Sequence, residues 1–170
     1  MKSTSLLLLA LVLSLSGCAF SAVKRPNPAQ YLNQFPQSQA LPLSVERSAE
    51  ASKSAIEAMG WETLTVNAAI GLVRSKARPV TIPNICDCGT WNGGAVNGTA
   101  DATLVVNMES TGSDSTTVRI SVECVTNFAG QNLYGATTRR ESYACATRGA
   151  IENEFWATLK RVVAASSGSH

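Results

Sequence analysis

The sequence predicts an α+β domain: an antiparallel sheet of three to five strands, with an N-terminal and a C-terminal helix packed on one face. Three observations predict it. Ala100, Ala102, Leu104, Val106 and Met108 alternate with Asp101, Thr103, Val105, Asn107 and Glu109, and after Thr111-Gly112-Ser113-Asp114 the alternation resumes as Val118, Ile120, Val122 and Cys124. Period-two alternation on both sides of a turn describes a hairpin with one face in a core and one largely in water. Val45, Ala49, Ser52, Ile56 and Met59 recur at spacings of three and four, as do Ile151, Phe155, Leu159 and Val162, which places each set on one face of a helix. Consecutive strands flanked by helices argue for helices segregated to one face of an antiparallel sheet.

In chain order, Met1-Lys2 precedes an apolar run from Leu6 to Leu13, which leads into Leu15-Ser16-Gly17-Cys18. A basic start, a short apolar segment and small residues before a cut site make a secretory signal peptide. The run is too short to remain as a membrane-spanning helix. Leu15-Ser16-Gly17-Cys18 resembles the lipobox of bacterial membrane lipoproteins, a likeness confined to the first 18 residues. The resemblance implies that residues 1–17 are removed, that Cys18 is diacylated on sulfur and acylated on its new amine, and that the mature chain hangs from a membrane by lipid. Two or three acyl chains suffice for stable anchoring where one does not. In enteric-type members an Asp after the Cys retains the protein in the inner membrane; Ala19 in that place implies the outer membrane, facing the periplasm, with the cell surface as the other location.

Residues 18–42 read as a lipid-anchored tether, because Pro26, Pro28, Pro36 and Pro42 remove backbone donors and disfavour a long helix or a central strand. Tyr31, Leu32 and Phe35 are the exception, able to dock on the domain or on a partner; the preferred reading is a mobile linker with scattered apolar residues. The domain proper is expected over residues 43–165. Ser44 caps a helix over 44–59, Glu46 lies in its first turn, and Gly60 stops it. Trp61–Val66 and Ile70–Ala77 read as two strands joined at Asn67-Ala68-Ala69; one long bent strand is the other reading, since Leu64, Val66, Ala68, Ile70 and Leu72 keep one parity. Residues 78–98 form an excursion rich in Pro, Gly and Asn. After the hairpin, Thr137–Cys145 reads as an edge strand blunted by Arg139 and Arg140. Arg148–Ala165 is the closing helix, with Glu152 and Glu154 early and Lys160 and Arg161 late, as its dipole favours. Residues 166–170 are a loose tail. The order resembles small helix-and-sheet domains of envelope lipoproteins, in pattern only, and carries no functional residue across.

The whole sequence has 14 Lys and Arg against 12 Asp and Glu, and only Lys2 is lost with the signal peptide. That near-balance gives no support for a nucleic-acid partner. The single histidine is the last residue, His170, so a His-based nucleophile pair or zinc site inside the fold is not expected. Five cysteines become four once Cys18 carries lipid: Cys86, Cys88, Cys124 and Cys145. An even number in an exported chain points to disulfides. On an extended segment Cys86 and Cys88 point the same way, about 6–7 Å apart, so each can reach a different partner. Of the three connectivities, the nested one, Cys88–Cys124 with Cys86–Cys145, is preferred. The competing reading of Cys86-Asp87-Cys88 is a soft thiolate metal site.

Three further groups carry possible chemistry. Trp91, among glycines and asparagines, either stacks on a ligand or partner or folds back over the disulfides. Asp101 and Glu123 sit on the outer face of neighbouring strands, opposite or diagonal, a separation that suits a glycosidase pair, although no pocket-forming sequence surrounds them. Arg139, Arg140, Tyr143 and Arg148 form a basic-aromatic cluster that could meet lipid headgroups near the anchor. Together these lead us to expect a lipid-anchored, non-catalytic interaction or assembly module of the bacterial envelope, with an envelope protein as partner, the membrane bound through lipid, and no cofactor, metal or small-molecule ligand. The alternatives are a cell-envelope glycan hydrolase and a glycan- or ligand-binding module.

Overall fold

The alternation between Ala100 and Cys124 builds the spine of the protein. In the computed structural model, which describes residues 23–91, 94–131 and 137–167, it forms two long antiparallel strands, β9 (Gly98–Gly112) and β10 (Ser115–Gln131), turning at Ser113 and Asp114. The expected inward set is buried: Ala102, Leu104, Val106 and Val118 expose nothing, and Ile120, Val122 and Cys124 almost nothing; of the outward set, Thr103 and Val105 are buried too, so the outer face is covered at the middle of β9.

Each outer edge of this spine is long enough for two partners in tandem. β9 carries β4 (Leu72–Ser75) along Val105–Asn107 and β5 (Arg78–Ile82) along Gly98–Ala102. Between them Leu104 N–H donates to the buried Ser75 hydroxyl at 2.9 Å, so a side chain completes the ladder where the strands change over. β10 carries β2 (Ser38–Leu41) along Thr116–Arg119 and β11 (Thr137–Thr147) along Cys124–Gln131. β3 (Thr63–Asn67) extends the sheet from β4, and β6 (Cys86–Asp87) from β11. The result is an antiparallel sheet of eight strands, larger than the three to five expected. The additions β2, β5 and β6 are four, five and two residues long, too short for an alternation to register.

The helices form where the apolar spacing places them. α1 (Val45–Ala58) starts under the Ser44 hydroxyl, which accepts from Arg47 N–H. It ends at Gly60, whose φ of 76° lets Trp61 N–H return to the Ile56 carbonyl. α2 (Ala150–Ser167) buries Ile151, Phe155, Trp156 and Leu159. Both helices pack on the same side of the sheet and against each other. That is the predicted layer arrangement. Between β3 and β4 the chain turns through a 3-10 segment, Ala68–Ile70, closed by Gly71 at φ 62°, so the two-strand reading of residues 61–77 holds over the single bent strand. No described helix is long and apolar enough to cross a membrane.

Two expectations are corrected. The stretch expected as a tether is part of the fold from Val23 onward. β1 (Val23–Lys24) pairs with β7 (Thr90–Trp91), two short 3-10 turns follow, and β2 pairs with the spine. Tyr31, Phe35 and Leu41 are buried; the Trp156 indole N–H donates to the Pro36 carbonyl at 2.7 Å. The prolines exclude a long regular element, as argued, but three apolar anchors and four ladder residues are enough to hold an irregular strap. The excursion at residues 78–98 is likewise structured: β5, β6, β7 and β8 (Gly94–Ala95) occupy it, and β1, β7 and β8 form a second, three-stranded sheet.

Candidate functional site

The cysteines converge where β6 closes the sheet on β11. Asp87 faces Ala146 and Cys86 faces Thr147 across the strands. Continuing that antiparallel count sets Cys88 opposite Cys145, and these two are bridged, with Cα atoms 4.3 Å apart. On the other side of β11, Cys145 also faces Cys124 of β10. Cys124 therefore bonds to Cys86 instead, at a Cα separation of 6.4 Å. Cys86 and Cys88 do reach different partners, as their shared direction implied, but the preferred pairing, Cys88–Cys124 with Cys86–Cys145, is wrong. The register of β6 on β11 decides the connectivity, and a two-residue strand carries no sequence signal of its register. With both bridges formed, the soft metal site read into Cys86-Asp87-Cys88 has no thiolate left from these four cysteines. Among the described residues no group of three His, Cys, Asp or Glu side chains is placed to hold a metal.

Asp87, passed over as a spacer, is the polar hub of this corner. One carboxylate oxygen accepts from the Tyr31 hydroxyl at 2.6 Å and from the Gln30 amide at 3.3 Å, and the other accepts from Gly89 N–H at 2.8 Å. Gly89 has φ 82°, and a Cβ there would lie 2.0 Å from the Lys24 carbonyl oxygen, so β1 can cross only over a glycine. The Arg148 guanidinium lies 5.5 Å over the Tyr31 ring. Burial raises the Tyr31 pKa above its usual value; the Asp87 hydrogen bond and charge add to this, and Arg148 opposes it. Burial raises Tyr143 as well, against the positive charge of Arg25. The expected basic-aromatic cluster is therefore partly rebuilt: Arg148 joins Tyr31, and Tyr143 meets Arg25, a residue assigned to the tether. Arg139 and Arg140 lie on β11 opposite Gly130 and Ala129, and the Trp91 backbone pairs with Val23. The side chains of these three lie outside the described residues, as does Cys18.

The carboxylate pair has a different fate. Asp101 faces Val125 and Glu123 faces Thr103, which makes the two acids diagonal neighbours on the outer face. Both are exposed, and Glu123 is paired with Arg74 at 2.7 Å across β9. On the far side of the sheet, β3 has β4 as its one strand partner among the described residues. Leu64, Val66 and Ile70 are 58%, 39% and 68% exposed there. In the sequence they count only as strand formers; three large apolar residues at a terminal strand and its turn are the signal that marks them.

No protein-family model matches the chain, and no curated protein matches it.

Proposed function

We propose that this chain is a lipid-anchored envelope protein, facing the periplasm from the outer membrane, whose domain is a non-catalytic interaction or assembly module. Leu15-Ser16-Gly17-Cys18 supports the anchor, and two disulfides suit an oxidising compartment. The observation that carries the module reading is the β3 edge. Terminal strands present unpaired N–H and C=O groups, and proteins that do not use such an edge blunt it with charge, proline or a cover. β3 instead shows Leu64 and Val66, with Ile70 exposed in the turn that follows it, the combination that accepts an added strand: backbone hydrogen bonds for affinity, side-chain contacts for selectivity. The partner is an envelope protein with an extended apolar segment. Asp101 and Glu123 have no role in this reading, and an Asp101→Asn, Glu123→Gln double variant keeps full biological activity. Photoreactive residues at Leu64 and Ile70, activated in the native envelope, should give a discrete protein adduct, with Ser121 on the outer face as control. Adducts at Ser121 and none at the β3 edge would sink the proposal. Cys18→Ala with membrane fractionation tests the anchor separately.

A further inference from the structure

We infer that the face built from β1, β7 and β8 lies against the phospholipid headgroups, with the long hairpin standing away from the membrane and its Ser113-Asp114 turn farthest from it. This rests on lipidation of Cys18 as proposed above. The argument starts from chain length. β1 begins at Val23, so only residues 19–22 separate the lipid-bearing position from the fold. Five residue steps span at most about 18 Å, whereas a domain of this size is roughly 40 Å across. A free tether from Cys18 to Pro42 would average roughly 28 Å end to end and let the domain turn. The strap removes that freedom, because Val23 and Lys24 are laddered to Trp91 and Thr90, Tyr31 is bonded to Asp87, and Pro36 is held by Trp156.

The charge on this face agrees with that placement. Lys24, Arg25 and Arg148 are exposed. Of the acids nearby, Asp87 has both oxygens occupied by Tyr31, Gln30 and Gly89, and Asp101 points from the outer face of β9. Basic residues next to a membrane anchor are drawn to anionic headgroups, each contributing about fivefold to the docked-to-free ratio at low salt. The orientation also has a functional sense. β9 is 15 residues long, about 50 Å end to end. Its Gly98 end adjoins β8, and farther along, Met108 N–H meets the Gly71 carbonyl of the β3–β4 turn. The membrane face therefore adjoins the Gly98 end of the spine, while the apolar β3 edge runs alongside its middle, clear of the membrane.

The test uses the full mature lipoprotein in vesicles carrying a headgroup energy-transfer acceptor. A fluorescent residue is placed at Asn97, beside β8, or at Ser113, in the distal turn. Both positions are exposed. Mass spectrometry of the Cys18 peptide is done on the same sample. The expected result is an acylated Cys18 and strong transfer from Asn97 with weak transfer from Ser113. With phosphatidylglycerol in the vesicles, Lys24→Gln with Arg25→Gln should lower the docked-to-free ratio about fivefold per cation. An acylated Cys18 with equal transfer from both positions overturns the orientation while leaving the anchor intact. An unchanged ratio in the double variant overturns the headgroup contact. An unacylated Cys18 overturns the anchor, and the inference with it.

Discussion

The two disulfides can be removed one at a time, and the structure ranks the outcomes. The Cys86–Cys124 bridge spans 38 residues and Cys88–Cys145 spans 57. The chain-entropy model gives about 3.9 and about 4.2 kcal/mol for loops of those lengths, a difference of less than about half a kcal/mol that makes the longer bridge the costlier loss. Packing works the other way. Cys86 and Cys124 are 0% and 1% exposed and belong to the core with Ala102, Val122 and Phe155; Cys88, 1% exposed, belongs to it as well, and only Cys145 is partly buried. Replacing a fully buried pair by alanine leaves a void between β6 and β10, and core truncations of that size cost about 1–3 kcal/mol beyond the entropy. The packing difference is that between Cys124 and Cys145; it outweighs loop length, and Cys86→Ala with Cys124→Ala should lose about 6 kcal/mol against about 5 for Cys88→Ala with Cys145→Ala. Urea titration of both variants measures this, and native-state hydrogen exchange locates it. Protection should fall across Leu104–Met108 and Val118–Val122 in the first variant and mainly around β6 to β8 in the second. Equal midpoints, or a less stable second variant, would refute the claim that the inner bridge is part of the core.

The remaining predictions concern the strap and one buried acid. Phe35→Ala should cost about 3–4 kcal/mol by thermal denaturation, since Phe35 is 7% exposed and seated against Gly149. Gly149→Ala should cost at least about 2 kcal/mol at the same contact, because its φ is 84° and a new Cβ would lie 2.3 Å from the Phe35 ring. Gly89→Ala should lift β1 and leave the spine intact, visible as faster tryptic cleavage after Lys24 with an unchanged unfolding midpoint for the core. Glu152 exposes no surface; one oxygen accepts from the Thr147 hydroxyl, while the other is buried with no hydrogen-bond partner. Desolvation raises its pKa above the ordinary 4.5, against smaller opposing contributions from its backbone N–H and Thr147. The folded state thus keeps a proton that the unfolded chain releases as pH rises through 4.5, so this group's contribution to stability declines from there up to its folded value. Glu152→Gln should raise the melting temperature at pH 7 and lose that advantage near pH 4; an advantage independent of pH would mean the acid titrates alike in the folded and unfolded chain, so that burial does not raise its pKa.

The sequence displays best what repeats. The hairpin is legible because Ala100–Cys124 keeps one parity long enough to identify a face, and the helices because Ile56 or Phe155 has neighbours at three and four on both sides. β2 is invisible for the converse reason: Ser38-Gln39-Ala40-Leu41 sits between two prolines and has one buried apolar side chain, Leu41. Its place depends on β10 extending beyond β11, a fact about another part of the chain. The same holds at the candidate site. The four cysteines announce themselves by type and parity, but their pairing is set by a two-residue register. Asp87 and Arg25 matter through what crosses above them, and nothing local marks that. At β3 the apolar residues were visible and their exposure was not, because Leu64 and Val66 look the same in a covered strand and in a terminal one.

The order of the bridges along the chain has a consequence for how the protein is made. If the chain enters an oxidising compartment from its N-terminus, as the proposed envelope location requires, it presents Cys86 and Cys88 before Cys124, and Cys145 last. An oxidase that joins thiols as they arrive would link Cys86 to Cys88 and then Cys124 to Cys145. The second of those errors is well accommodated, since Cys124 and Cys145 face each other across β10 and β11. The native bonds interlace instead, Cys86 with Cys124 and Cys88 with Cys145, so neither joins consecutive cysteines. Reaching them from the sequential product requires thiol–disulfide exchange through a mixed disulfide. Maturation of this protein should therefore depend on a disulfide isomerase as well as an oxidase, and cells lacking the isomerase should accumulate a compact isomer in which β6 is not fastened to the sheet. Peptide mapping under non-reducing conditions would distinguish the two forms.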